Sequence, residues 1–170
     1  MKQTLTPFLL VLVLHCPSAI GDATWRLQMD GFGPVKPGMT TSQVKKVIGV
    51  RVLEDTNSPT EECWYIRALD ELDGVSLMII DGRVARIEID SPKFRTLSGA
   101  GLDTSEEELR KLYGSRLTFE QHKYAEDEGN YVTLRSRDGK FGVRFETFHG
   151  KVGRFYAGPW EHLQYVEGCA

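Results

Sequence analysis

Apolar residues recur along this chain with two different periods. In "PGMTTSQVKKVIG", Pro37 to Gly49, Val44, Val47 and Ile48 fall at i, i+3 and i+4, the single stripe of an amphipathic helix. Thr40 stands as N-cap with Gln43 three residues on, the spacing of a capping box, and Met39 precedes the cap where it can pack on Val44. Gly49 supplies a left-handed stop. The same outline returns in "LDTSEEELRKLYG", Leu102 to Gly114, with Ser105 as cap, Glu108 completing the box, and Leu109, Leu112 and Tyr113 as the stripe. Glu106, Glu107 and Glu108 sit at the positive end of the helix dipole, with Arg110 and Lys111 nearer the negative end. That placement gives the acidic run a structural reason and removes it as a metal site.

Elsewhere the period is two. "GVSLMIIDGRVARI", Gly74 to Ile87, aligns without a gap on "GVRFETFHGKVGRF", Gly142 to Phe155. Each predicts a strand, a two-residue turn (Asp81-Gly82 and His149-Gly150) and a second strand. Upstream, "CWYIRAL" from Cys63 matches "YVTLRS" from Tyr131 as a third strand in each half. The polar stretches Glu54–Glu62 and Glu120–Gly129 read as loops. Trp25 to Met29 alternates and predicts a strand ahead of the first helix; His162 to Val166 predicts one at the end. The expected fold class is α+β: two tandem helix-plus-three-strand repeats, at about 33–90 and 98–157, forming an antiparallel sheet with the helices packed on one face. Residues 22–170 are expected to form a single domain.

Alternation also sorts the two faces of that sheet. Val75, Leu77, Ile79, Ala85, Ile87 and Ile89 share a face with Val143, Phe145, Thr147 and Phe155, joined by Trp64, Ile66, Val132 and Leu134, and should meet the helix stripes as a core. The opposite face carries Tyr65, Arg67, Arg86, Tyr131, Arg135, Arg144, Phe148, Arg154 and Tyr156, interspersed with Ser76, Met78, Ile80, Glu88, Thr133 and Glu146. Arg and Tyr anchor protein interfaces, and Arg can also hold carboxylates bidentately. Two readings of this face stand open: a ligand-binding surface, or a solvated face with cross-strand Arg–Glu pairs.

The N-terminus changes the expected compartment. Lys2 precedes the apolar run "PFLLVLVL", Pro7 to Leu14, which is too short to span a bilayer, and small residues follow at Ala19 to Ala23. Residues 1–21 are therefore expected to be a cleaved signal peptide, giving a periplasmic or secreted protein with no transmembrane segment in the mature chain. His15 is bulky where lipoprotein signals carry Gly, Ala or Ser before the cysteine, so lipidation of Cys16 is not expected. In an oxidising compartment the remaining pair, Cys63 and Cys169, reads as a disulfide tying the chain's end to a central strand. Lys and Arg number 21 against 24 Asp and Glu, which gives no electrostatic case for a nucleic-acid partner.

The stretch "GPVKPGMTTSQVKKVIG" resembles the G-x-GMT-x-x-x-V-x-x-x-x-G opening of small exported bacterial proteins built from helix–sheet units. The single-unit members are the SmpA/OmlA-like lipoproteins of outer-membrane assembly; the duplicated members resemble the β-lactamase inhibitor proteins (BLIP-like). The resemblance covers about Gly33 to Ala157. It implies a non-catalytic protein whose sheet presents a concave, aromatic-rich face to a partner, here the Tyr65, Tyr131, Arg144, Phe148, Arg154 and Tyr156 set. This chain has one possible bridge where the inhibitor family resembles one per unit.

No catalytic, cofactor or metal motif stands out. His122, His149 and His162 are the histidines beyond the leader, and none has a ligand neighbour at usable spacing, so each is expected at the surface. The glycines do not follow dinucleotide or phosphate-loop spacing, and no G-x-S-x-G occurs. The expected function is that of an exported, non-enzymatic binding protein, an inhibitor being one such kind, holding a protein or cell-envelope polymer on the sheet face. The alternatives are an envelope-assembly accessory protein and, further off, a small hydrolase whose triad is assembled only in three dimensions. Mass spectrometry of the mature N-terminus checks the first against the second: a free Asp22 or Thr24 is expected, and a diacylated Cys16 would point to the assembly role.

Overall fold

The structure, a computed structural model, describes residues 25–55, 62–125 and 127–169. The expected signal peptide, with Cys16, lies outside the described residues. The chain is α+β, with a large antiparallel sheet and few helices.

Both capping boxes form. In α1, Thr41–Ile48, the Thr40 hydroxyl accepts from the Gln43 N–H at 3.3 Å while the Gln43 side chain accepts from the Thr40 N–H at 2.8 Å. In α2, Glu106–Tyr113, Ser105 and Glu108 exchange the same pair of bonds. Each box satisfies two N–H groups that a helix start otherwise leaves without partners. Val44 and Ile48 are the buried residues of α1, and Leu109 that of α2. Val47 and Leu112, expected in the stripes, remain largely exposed. A helix of barely two turns touches the sheet along one line, so only residues on that line go under.

Each helix leads into a four-stranded meander. After α1 come β3 (Val52–Asp55), β4 (Cys63–Ala68), β5 (Val75–Ile80) and β6 (Arg83–Ile89). After α2 come β8 (Leu117–Gln121), β9 (Gly129–Arg135), β10 (Phe141–Phe148) and β11 (Lys151–Pro159). The strand order is β3-β4-β5-β6-β11-β10-β9-β8, with every pair antiparallel. The meanders join where Ile89, Glu88 and Ile87 of β6 pair with Phe155, Tyr156 and Ala157 of β11. The expectation of three strands per half is corrected to four. β3 and β8 are short outermost strands with little burial, so their side chains carry no strong alternating signal. β3 extends to Asp55 and β8 to Gln121, into stretches expected as loops; residues 56–61 and 126 lie outside the described residues.

A second, three-stranded sheet is made by β1 (Arg26–Gln28), β2 (Gly31–Phe32) and β7 (Arg95–Thr96), in the order β2-β1-β7, with β1 and β7 parallel. The strand expected at Trp25 to Met29 is therefore present as β1. β1 brings Leu27 and β2 brings Phe32 into the core, where Phe32 meets Phe94 edge-on at 5.2 Å between ring centres.

The two hairpin turns are alike. Asp81 and Gly82 have φ of 50° and 74°, and His149 and Gly150 have 49° and 74°. Left-handed values at both central positions match the twist of the flanking strands. Each hairpin then carries a bulge, between Met78 and Ile79 in one and between Glu146 and Thr147 in the other. The first bulge corrects an expectation: Val84 rather than Ala85 joins the core, because the extra residue shifts the alternation at that point. Behind each bulge the segment preceding the helix is stitched to the returning strand: Val84 exchanges backbone hydrogen bonds with Gly38 and Met39, and Val152 with Asp103 and Thr104.

One core results. Ile66, Leu77, Ile79, Ile87 and Ile89 from the first meander meet Val132, Val143, Phe145 and Phe155 from the second, with Val44, Ile48 and Leu109 from the helices above them. Phe145 stacks on Phe155 at 5.9 Å, and the Tyr113 ring lies tilted at the same distance from it. The strand expected at His162 to Val166 does not form. Pro159 ends β11, a short helix α3 follows over Trp160–Leu163, and the rest of the tail runs across the face of the sheet, where no ladder partner exists. Phe145→Ala removes the ring at the centre of this core and should lower unfolding free energy by about 3–5 kcal/mol in urea titration.

Candidate binding face

The register assembles one row of side chains across all eight strands on the face away from the helices. Leu53, Arg67, Ser76, Glu88, Tyr156, Arg144, Thr133 and Thr118 are successive cross-strand partners. Beside it run two shorter rows: Tyr65, Met78 and Arg86 on one side, and Arg154, Glu146, Tyr131 and Glu120 on the other. Arg135 lies at the end of β9, opposite Gly142, and Phe148 at the end of β10, opposite Gly129.

These residues do not share one environment. Arg86 is 4 % exposed, Arg144 2 % and Tyr156 1 %; Tyr131 is buried and Tyr65 half-buried. Arg67, Arg135, Phe148 and Arg154 are exposed. The division follows the C-terminal segment, which covers part of the face.

Arg86 shows how the cover is held. A guanidinium offers five N–H groups in a fixed plane, and burial leaves none of them to water. Here Nε and Nη2 donate to Glu88 Oε1 at 2.9 and 2.6 Å, and Nη2 also to the Tyr65 hydroxyl at 3.4 Å. Nη1 donates to two main-chain carbonyls of the tail, His162 at 3.3 Å and Tyr165 at 2.6 Å. The group lies 4.3 Å over the Tyr156 ring. Arg144 is bound similarly: Nε to Thr133 Oγ1 at 3.0 Å and Nη2 to Gln164 Oε1 of the tail at 2.9 Å, with Glu120 at 3.7 Å. Farther along, Glu167 takes bonds from Lys123 and the Tyr124 hydroxyl. Gly168 lies directly against Tyr65, where a Cβ would come within 2.4 Å of the hydroxyl. Cys169 then closes the disulfide to Cys63, with 5.3 Å between the Cα atoms.

This path fixes the shape of the face. Lys123 follows β8 at one edge of the sheet and Cys63 opens β4 near the other, yet Glu167 and Cys169, two residues apart, reach both. The sheet is therefore curled around the tail, and the face is concave. Cross-linking across a loop of 106 residues stabilises the fold by about 4–5 kcal/mol in the chain-entropy model.

Two openings remain. A cavity of about 470 Å³ lies beside the covered region, lined by Tyr65, Arg67, Ser76, Glu88, Asp90 and Arg154. Arg67 pairs with Asp55 at 3.4 Å; the Arg154 guanidinium makes no hydrogen bond or ion pair among the described residues. A second, of about 480 Å³, flanks the disulfide between Asp81, Lys123 and Glu167.

Burial, and after it the charge of Glu88, pushes the Tyr65 phenol up to about 12. Burial and then Glu146 push Tyr156 up further, and Tyr131 also rises, burial again the leading cause. Burial acts to lower the pKa of Arg86, but Glu88 and the neighbouring phenols outweigh it and the net shift is upward. Phenols so shifted do not act as bases near neutral pH. Among the described residues no three His, Cys, Asp or Glu come together as a metal site, and no helix is long and apolar enough to cross a membrane.

No protein-family model matches this chain, and no curated protein is significantly similar to it in sequence. Among solved structures it is similar to the crystal structure of the uncharacterized protein YfeY from Escherichia coli. The two share 10% identity at a TM-score of 0.50, over 78% of this chain and 99% of that one. The likeness shows the fold alone.

Two features of the site escaped the sequence. His122, expected in an exposed polar loop, is 6 % exposed. Its backbone N–H bonds to Gly129, so the loop turns back and lays the ring on Tyr131 at 4.4 Å, with Glu146 3.7 Å away. The other is the tail, whose course had one signal: a cysteine at the chain's end that must reach the first residue of β4 can do so only by crossing the sheet.

Burial, ahead of the opposing pull of Glu161, holds His162 below the usual imidazole range. The unfolded chain therefore takes up this proton first as pH falls through about 6.5, and the stability contributed by the neutral ring is full above that value and lost below it. Urea midpoints at pH 7.5 and 5.5 should show wild type losing more stability on acidification than His162→Gln.

Proposed function

We propose that this is an exported, non-catalytic binding protein made of two copies of one helix-and-meander unit, which holds a protein or cell-envelope ligand on the concave face of its sheet. The observation that carries this reading is the open cavity beside the tail. There Arg154 has no hydrogen bond or ion pair among the described residues, Arg67 has a weak exposed partner, and Tyr65 offers an aromatic edge. An Arg pair beside an aromatic in a concave, partly desolvated wall suits a carboxylate-bearing protein segment or an acidic sugar.

Duplication is supported by details a single helix and sheet would not repeat. The capping boxes, the left-handed turn pairs, the bulges and the backbone ties to Val84 and Val152 recur at matching places. Export is supported by the signal-like N-terminus and by a disulfide, which persists in oxidising compartments. The likeness of "GPVKPGMTTSQVKKVIG" to the BLIP-like and SmpA/OmlA-like openings agrees with both.

Arg67→Glu combined with Arg154→Glu removes both positive charges from the cavity wall and puts negative ones in their place, without touching the core. Immobilised wild type should capture a partner from envelope extract that the double variant loses, with the thermal midpoint unchanged. Equal capture by both would remove the cavity as the site.

A further inference from the structure

We infer that the covered part of the concave face is a second binding site, a peptide groove held shut in this structure by the chain's own C-terminal segment and opened by reduction of Cys63–Cys169. It borders the Arg67 and Arg154 cavity and shares Tyr65 and Glu88 with it, but its tail contacts do not involve Arg67 or Arg154, so it can fail while the binding reading stands, and the reverse.

The tail is bound as a peptide ligand is bound. Arg86 gives both Nη1 hydrogens to main-chain carbonyls, of His162 and Tyr165, so that contact recognises backbone and not side-chain identity. Selectivity comes from three further positions. Arg144 takes the side-chain oxygen of Gln164, Lys123 and Tyr124 take the carboxylate of Glu167, and Tyr65 leaves room for no side chain at Gly168. A partner polypeptide fits the same groove if it presents a helix end running into a turn, with an amide or carboxylate side chain, an acidic residue three positions on, and glycine next. The groove's own donors, Arg86, Arg144 and Lys123, make it complementary to such an acidic segment.

Beyond the bonds that Arg86 and Arg144 make to it, the tail's far end is fastened by the disulfide. Leu163 is buried and anchors α3, but Gln164, Tyr165 and Glu167 beyond it are exposed. The disulfide is only half-buried and lines the 480 Å³ opening, where a reductant can reach it. Opening requires an external dithiol. One of its thiolates attacks Cys169 Sγ, forming a mixed disulfide and expelling the Cys63 thiolate, which takes up a proton. The second sulfur then displaces the Cys169 thiol, and the reductant leaves as its own disulfide, having supplied two electrons and two protons. Arg86 and Arg144 lose their tail acceptors as the segment lifts, and an incoming peptide replaces them.

The test uses the full chain, oxidised or reduced with dithiothreitol, and a fluorescein-labelled synthetic peptide of residues 160–170 carrying Cys169→Ser. Anisotropy should show the reduced chain binding this probe at least tenfold more tightly than the oxidised chain. Gln164→Ala with Glu167→Lys in the probe should weaken binding at least tenfold. Hydrogen exchange should show residues 164–168 losing protection on reduction while the strands keep theirs. Cys63→Ser should behave as the reduced chain without reductant. Equal binding by both redox forms would overturn the proposal, as would no binding by a reduced chain that keeps its near-ultraviolet circular dichroism. Loss of that signal on reduction would also overturn it, since the bridge would then be a staple for the fold. A tail-exchanged dimer on reduction would assign the groove to a second copy of this chain and overturn the partner peptide.

Discussion

A guanidinium in the middle of a sheet must find acceptors for five N–H groups, and at Arg86 half of the answer lies nearly eighty residues away. Glu88 and Tyr65 take three of the bonds from within the first meander. The tail carbonyls take the other two. Unpaired, such a group would carry a large desolvation cost; paired, it forces the chain's end to lie across the sheet. The position of α3, the curl of the sheet, the burial of Tyr156 and the closure of the disulfide are all consistent with that single demand.

The joint between β6 and β11 makes the demand possible. It sets Glu88 opposite Tyr156, and so places a carboxylate, two arginines and several phenols on one wall. On the proposed duplication, Arg154 occupies in the second unit the place that Arg86 has in the first, each four residues past its turn glycine. Their fates differ because there is one tail. Arg86 is covered and saturated, whereas Arg154 faces the open cavity. Doubling a unit and then spending one terminal segment on one copy leaves the other copy's equivalent surface available.

The same wall holds its polar groups in fixed states. Its phenols are raised by burial and by neighbouring carboxylates, and its arginines are locked by several bonds each. Groups held this rigidly lose little further entropy when they make a contact.

What the sequence by itself determined was whatever a few neighbouring residues can settle. Thr40 with Gln43, and Ser105 with Glu108, fix helix starts because their bonds close within one turn. Asp81-Gly82 and His149-Gly150 fix the hairpins because left-handed backbone is a local choice. Two-residue alternation assigned most side chains to the correct face, since the pleat admits no other arrangement. The bulge that exchanges Val84 for Ala85, the edge strands β3 and β8, and the burial of His122 depend on partners distant in sequence. The tail is the clearest case. Its residues alternate as a strand would, and only the concave wall, with Arg86 and Cys63 waiting on it, decides that the segment crosses the sheet and does not extend it.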